Sequence, residues 1–309
     1  MKIVFLRLMN RPLETINQKI PIDPKFGVSL SIKRDDLIDT EISGNKFRKL
    51  FYNIREARAQ HHQTILTFGG AFSNHIAAVA ACGHRYGFKT IGIIRGEEVK
   101  FFEQDNPTLR FAKKMGMELF YISRSNYKNK EDVNFSEDLK ARFGKFMLLP
   151  EGGTNDLAVK GCEEILSAKD QTFDLICCSV GTGGTLAGLI NSAKPHQRVV
   201  GYSSVKDPDL KRGICRFVTH NNWDLFQADC GGYGKVDPSL IEFINGFKTS
   251  FNIPLDPVYT GKMMYHLMRQ IEQGVFPKGT NILAIHTGGL QGVAGMNWRL
   301  KQTDLPQLI

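Results

Sequence analysis

The chain has 309 residues, 42% hydrophobic and 23% charged with 30 glycines, the make-up of a globular protein and not of a fibre or a disordered segment. Its length suggests about two domains and a core that removes roughly three quarters of the unfolded surface from water. The formal charge of +9 favours anionic ligands, but the basic patches "SRSNYKNK" and "KRGICRF" are short and lack interleaved aromatics, so no nucleic-acid surface is expected.

Along the chain, "MKIVFLRLMNRPLETI" has an apolar run broken by Arg7 and no small-residue cleavage site, so no secretory leader is expected. No stretch approaches about 18 apolar residues, which argues against a membrane span. "SGNKFRKL", residues 43–50, sets Lys46, Arg48 and Lys49 just ahead of the helix formers "FYNIREARAQ". Lysine is seldom buried, so residue type alone makes these surface charges.

A repeating pattern follows. "TILTF" (64–68) precedes the helical "SNHIAAVAACGHRYG", "TIGIIR" (90–95) precedes "NPTLRFAKKMG", and "MELFYI" comes next. Strand, helix, strand in this order implies parallel sheet. Ser73 and Asn74 lie between the turn "GGAF" and a helix, where either serves as an N-cap. They also offer a hydroxyl and an amide suited to a carboxylate or phenolate oxygen.

The polar stretch "SRSNYKNKEDVNFSED" leads to "KFMLLP", then to a helix expected over 155–168 and the run "FDLICCSV". The turn that follows, Gly181, Thr182, Gly183, Gly184 and Thr185, opens another helix. Glycine N–H groups at a helix N-terminus make an anion cradle, and the threonines add hydroxyls. A dinucleotide fingerprint fails because Leu186 stands where its third glycine belongs, and no Lys-Ser or Lys-Thr completes a Walker loop. A phosphate cup and a plain packing turn both remain open here.

"RVVGYSS" and "NILAIHT" read as further strands, with helices after Thr260 and after "GGLQG". Tyr233 sits in the glycine-rich "GGYGK", and Tyr259 and Thr260 in "DPVYTGKMM". Either tyrosine can be an ordinary interface aromatic, and His286 reads as a core or turn histidine. The chain has no G-x-S-x-G elbow and no H-E-x-x-H, and His61 and His62 lack helical ligand spacing, so no metal site is expected. Cys82, Cys162, Cys177, Cys178, Cys215 and Cys230 form no C-x-x-C pair, which fits a reducing cytoplasm.

Taken in order, "SGNKFRKL", "GGAFSNH", "SVGTGGTLAGL", "GGYG", "DPVYTGK" and "HTGGLQG" resemble the pyridoxal-phosphate enzymes of the tryptophan synthase β-like fold (fold type II). Within these the chain is similar to the branch of 1-aminocyclopropane-1-carboxylate deaminase and D-cysteine desulfhydrase, from about Ile32 to Trp298. The resemblance implies pyridoxal 5'-phosphate as cofactor, Lys46 as its Schiff-base lysine and Lys49 as a phosphate contact. It implies a phosphate cup at Gly181–Thr185, one residue longer than in the deaminase. Asn74 matches the amide near the phenolic oxygen, Ser73 a substrate-facing serine, and Tyr233 with Tyr259 the active-site pair. Thr260 departs from the deaminases, where a glutamate faces the pyridine nitrogen. A hydroxyl there makes a weaker electron sink and is similar to the desulfhydrase pattern.

The expectation is an α/β protein of two domains, each a mainly parallel sheet flanked by helices. Residues 1–49 and 150–309 form the large cofactor-binding domain, and 50–149 the small substrate-binding domain. The resemblance further implies a cytoplasmic homodimer acting on a small amino acid, with no nucleic-acid or membrane partner. The expected reaction is α,β-elimination, with D-cysteine first, cyclopropane-carboxylate deamination as the alternative, and a non-catalytic cofactor-binding protein as a third reading.

Overall fold

The computed structural model of the protein describes residues 14–130 and 132–309. The expectation of no leader, and residues 1–13 of the large-domain assignment, lie outside the described residues. The described chain opens with strands β1 (Asn17–Ile20) and β2 (Ser29–Lys33) and helix α1 (Asn45–Ala59). The alternating segment then runs β3 (Thr64–Gly69), α2 (Asn74–Tyr86), β4 (Lys89–Arg95), α3 (Pro107–Lys114), β5 (Glu118–Ile122), α4 (Arg124–Lys128), α5 (Val133–Phe143) and β6 (Met147–Leu149). After it come α6 (Asp156–Glu163), β7 (Leu175–Val180), α7 (Gly184–Ser192), β8 (Arg198–Ser203), α8 (Leu210–Cys215) and β9 (Trp223–Gln227). The chain closes with α9 (Pro238–Phe251), α10 (Thr260–Glu272), β10 (Asn281–Ile285) and α11 (Gln291–Leu300).

Two sheets result. One has six strands in the order β1-β2-β10-β7-β8-β9, parallel except for the antiparallel edge pair β1–β2. The other has four parallel strands in the order β5-β4-β3-β6. All four strands of the second sheet fall within residues 50–149. This is the fold class expected from the strand–helix alternation.

Each sheet is covered on both faces, which is why its central strands are apolar runs instead of alternating ones. All six residues of β7 are buried. Ile176, Cys178 and Val180 pack with Leu186, Leu189 and Ile190 of α7. Leu175 and Cys177 face the opposite way, into a cluster with Met263 and Leu267 of α10. In the smaller sheet Ile65 and Ile94 meet Ile76 and Val79 of α2, while Leu66, Phe68 and Ile93 meet Tyr127 and Leu139. Each such side chain taken from water contributes about 1.5–3 kcal/mol.

The elements differ from expectation in three places. The polar stretch 123–138 folds into α4 and α5, started by the side-chain caps of Ser123 and Asp132. The helix expected to reach residue 168 ends at Glu163, because Ser167 and Asp170 form a capping box for the next short turn. β1, β2, β9, α8 and α9 were not foreseen. Within the described residues no helix is long and apolar enough to cross a membrane.

Candidate active site

The C-terminal ends of β7 and β10 and the N-termini of α1, α2, α7 and α10 converge on one cavity of about 550 Å³, counting solvent at its mouth. Such edges are where open α/β sheets take ligands. Of the expected site residues, Lys46, Lys49, Asn74, Gly181, Thr182, Gly183, Thr185 and Tyr259 form its wall. Ser73, Gly184, Tyr233 and Thr260 adjoin those residues in chain or space without lining it.

Lys46 and Lys49 lie on the first turn of α1, and Gly44 makes that turn possible. Its φ is +62°, and a Cβ there would stand 2.0 Å from the Thr287 carbonyl oxygen. The same carbonyl accepts the Asn45 N–H at 3.1 Å, tying the helix start to the end of β10. Lys49 is buried and donates to the Gly152 carbonyl and to Thr154 Oγ1, both at 3.0 Å. Burial lowers the Lys46 ammonium to about 7, with the neighbouring Lys49 charge adding to the effect. Lys49 is lowered by burial as well. The surface-charge expectation therefore fails here: Lys46 is half-buried, Lys49 buried, and Arg48 buried in an ion pair with Asp35 at 2.7 Å.

Lys49 faces the Gly-rich turn, its Nζ 3.2 Å from where a Cβ on Gly184 would be. Gly183 has φ +86° and a Cβ there would meet Ile214 at 2.4 Å, so the turn admits only glycine at that place. Thr182 and Thr154 share a hydroxyl contact at 2.7 Å, and Thr185 Oγ1 accepts from the Asn45 amide at 2.8 Å. N–H groups at the start of α7, glycines and a buried ammonium make an anion site.

Ser73 does act as the N-cap of α2, accepting the Ile76 N–H at 3.3 Å. Asn74 has its carbonyl oxygen buried without a hydrogen-bond partner, at the cavity wall. Next to it His75 is 2% exposed, with both ring nitrogens unpartnered and its charged form strongly disfavoured by burial and by the two lysines. Tyr233 and Tyr259 meet through their hydroxyls at 3.1 Å. Tyr233 is 51% exposed and Tyr259 half-buried, and desolvation where their hydroxyls meet raises both phenols, so they are protonated donors at neutral pH.

The structure adds groups that sequence reasoning missed. Thr260 is fully buried and donates its hydroxyl to Asp256, whose carboxylate also accepts the N–H groups of Val258, Tyr259 and Thr260. Burial raises the Asp256 carboxyl. An aspartate just ahead of a helix is a capping signal legible in "DPVYT". Lys262 donates to the carbonyls of Asp229 and Gly232 at 2.6 and 2.8 Å, holding the Tyr233 loop onto α10. His286 accepts the Gly288 N–H at 3.2 Å and donates to the Pro254 carbonyl at 2.7 Å, the turn role expected of it.

The fit to pyridoxal phosphate follows from these observations. The wall carries two lysines and no carboxylate, which calls for an anion. The cup and Lys49 suit its phosphate, Lys46 its aldehyde, and the unpartnered Asn74 carbonyl oxygen a hydroxyl donor on its ring. Residues 10–288 match the family model described as pyridoxal-phosphate dependent enzyme. A mitochondrial bifunctional D-cysteine desulfhydrase/1-aminocyclopropane-1-carboxylate deaminase of Arabidopsis thaliana is 32% identical, over 86% of this chain and 74% of its own. A D-cysteine desulfhydrase of Yersinia pestis is 26% identical over 90% of this chain and 91% of its own. The crystal structure of an ACC deaminase homologue superposes with a TM-score of 0.78 at 30% identity, covering 91% of this chain and 90% of that one. The chain is thus a member of the pyridoxal-phosphate dependent enzyme family, in the branch of the 1-aminocyclopropane-1-carboxylate deaminases and D-cysteine desulfhydrases.

Proposed function

We propose that this enzyme catalyses α,β-elimination from a small amino acid with a β-leaving group. D-cysteine is the first substrate, giving pyruvate, ammonium and sulfide. The observation that carries the reading is the Lys46 amine, lowered to about 7 beside an anion cup. Bound pyridoxal phosphate supplies an aldehyde that takes up amines and a ring that withdraws electrons from the α-carbon. Near neutral pH about half of Lys46 is uncharged, the form that acts as nucleophile and base. Lys49 and the turn Gly181–Thr185 hold the phosphate, and Asn74 the phenolic oxygen. Ser73 and Tyr259 form the alternative route for the α-proton. Tyr233 and Tyr259 orient the substrate and donate a proton to the leaving group.

Thr260 takes the pyridine-nitrogen side. Because its one hydroxyl proton goes to Asp256, it can only accept there, which favours a protonated ring. This gives the second reading, cyclopropane-carboxylate deamination, its own support: a carboxylate stands behind Thr260 after all. The Arabidopsis relative carries both activities in its name, so the two readings stand level on that ground. The division at 49/50 and 149/150, a homodimer and a cytoplasmic setting belong to the same proposal, resting on the family resemblance and, for the division, on the two sheets.

A pyruvate-release screen over both enantiomers of cysteine and serine, β-chloroalanine and the cyclopropane acid, with α-ketobutyrate measured alongside, tests the reading. Turnover of D-cysteine is the expected result. Ring opening without elimination selects the second reading, and a cofactor-loaded protein inert to all of them defeats both.

A further inference from the structure

One face of α11 is made of small residues and ends in an indole. Gly292, Gly295 and Trp298 recur every third residue and so lie on the same side of the helix, with Gly289 ahead of them in the turn after β10. That side meets the segment Phe72–Ser73–Asn74. A Cβ on Gly295 would stand 2.7 Å from Phe72 Cδ1, one on Gly289 2.7 Å from Asn74 Nδ2, and one on Gly292 3.5 Å from Asn74 Oδ1. Beyond the glycines the half-buried Trp298 takes the Phe72 ring at 5.9 Å between centroids and stacks on Phe102 at 5.8 Å, 22° from parallel.

The next residue reaches the Tyr233 loop. Arg299 donates from Nη1 to the Gly234 carbonyl at 2.9 Å. One helical turn therefore touches both segments that carry substrate-side groups. Phe72 follows β3 and Phe102 ends the short turn after β4, both strands of the smaller sheet, whereas α11 follows β10 of the larger. The Ser73 turn and the Tyr233 loop have little regular hydrogen bonding of their own, so side-chain contacts set their position.

We propose that Trp298 and Arg299 are positioning residues: α11 docks the Ser73 turn through the indole and the Tyr233 loop through the guanidinium, keeping the groups that face the amino acid in register across the two sheets. The inference rests on the reading of Ser73 and Tyr233 as substrate-side groups and adds what holds them. Asn74 is set separately, between Gly289 and Gly292, so loosening the indole contact leaves the cofactor side in place. The effect of a loose turn falls on substrate affinity. A binding-competent form populated about a tenth of the time weakens apparent affinity about tenfold without changing turnover of the bound substrate.

The test compares Trp298→Ala, Trp298→Phe, Phe72→Leu and Arg299→Met in the cofactor-loaded protein, by amide exchange and by D-cysteine kinetics. Trp298→Ala should speed exchange over residues 70–76 about tenfold, the scale of lost aromatic pairs. It should raise the D-cysteine KM by about the same factor, with kcat within about twofold. Trp298→Phe should restore both, and cofactor affinity should stay within about twofold throughout. Arg299→Met should speed exchange over 231–235 and leave 70–76 unchanged. Phe72→Leu cuts the indole contact from the turn's side and should reproduce the Trp298→Ala pattern, whether or not that variant folds. Exchange over 70–76 that stays unchanged in Phe72→Leu, or that speeds up equally over β7, overturns the inference, as does a KM that holds while the turn loosens. A protein inert to D-cysteine whose 70–76 amides respond as expected defeats the reaction assigned above and keeps the docking role.

Discussion

Lys46 shows how far residue type alone can be read. A lysine three residues from another, in a stretch of helix formers, is by composition a surface charge. Its desolvation depends on chain arriving from positions 152–154, 181–185 and 287–289, none of which is legible within "SGNKFRKL". Only the ordered set of six motifs pointed to it. Arg48 gave no local sign of burial either, since its partner Asp35 lies in a separate turn. The depressed Lys46 value has a consequence for stability. The unfolded chain binds a proton on this lysine below about 10.4, whereas the folded chain binds it only below about 7. Folding is therefore opposed most fully below the folded value, and the opposition fades as pH rises toward the unfolded one. Lys46→Met should raise the melting temperature of cofactor-free protein at pH 6 by about 3 °C, the shift of roughly 1 kcal/mol, with the gain vanishing near pH 10. Melting curves of the two proteins across that range check it. A gain that grew with pH would contradict the burial argument.

Among the elements, those that are buried on both sides announced themselves as apolar runs: β3, β4, β7 and β10 stand within a residue or two of their expected places. β1, β2 and β9 are short and mix polar with apolar residues, because β1 and β9 lie at sheet edges; α9 carries Asn245 and Gly246, which weaken a helical pattern. The Gly-rich turn was legible as a possible cup because its spacing excluded the nucleotide motifs. Lys262 was not, although it governs an active-site loop. The Tyr233 loop has Cys230, Gly231, Gly232 and Gly234 all at positive φ, so it has little regular structure of its own, and the Lys262 ammonium holds two of its carbonyls. Lys262→Met keeps the buried volume and removes both bonds. Amide exchange over 229–234 should speed up at least about tenfold, with a stability loss of roughly 2–3 kcal/mol for the charged bonds. Substrate KM should rise while the cofactor stays bound. Unchanged exchange in that loop would show that Lys262 does not hold it.

At the scale of the whole molecule, the two largely parallel sheets, one of six strands and one of four, meet the expectation of an α/β fold. The cavity draws on both: Asn74 comes from the smaller sheet's first helix, whereas Thr182, Thr185 and Tyr259 come from elements on the larger. Strand–helix alternation made the parallel sheets legible. It did not reveal that β2 pairs with β10, Ser29 with Asn281, 252 residues on, since register between distant strands leaves no local trace. That long-range pairing brings the start of α1, with Lys46, to the turn after β10. The proposed chemistry requires Lys46 as the point where the cofactor is attached. Borohydride reduction of the cofactor-loaded protein, followed by proteolysis and tandem mass spectrometry, reads this directly. A single pyridoxyl adduct on Lys46, lost in Lys46→Ala, is the predicted result. An adduct on Lys49 or any other lysine, with Lys46 unmodified, would contradict it.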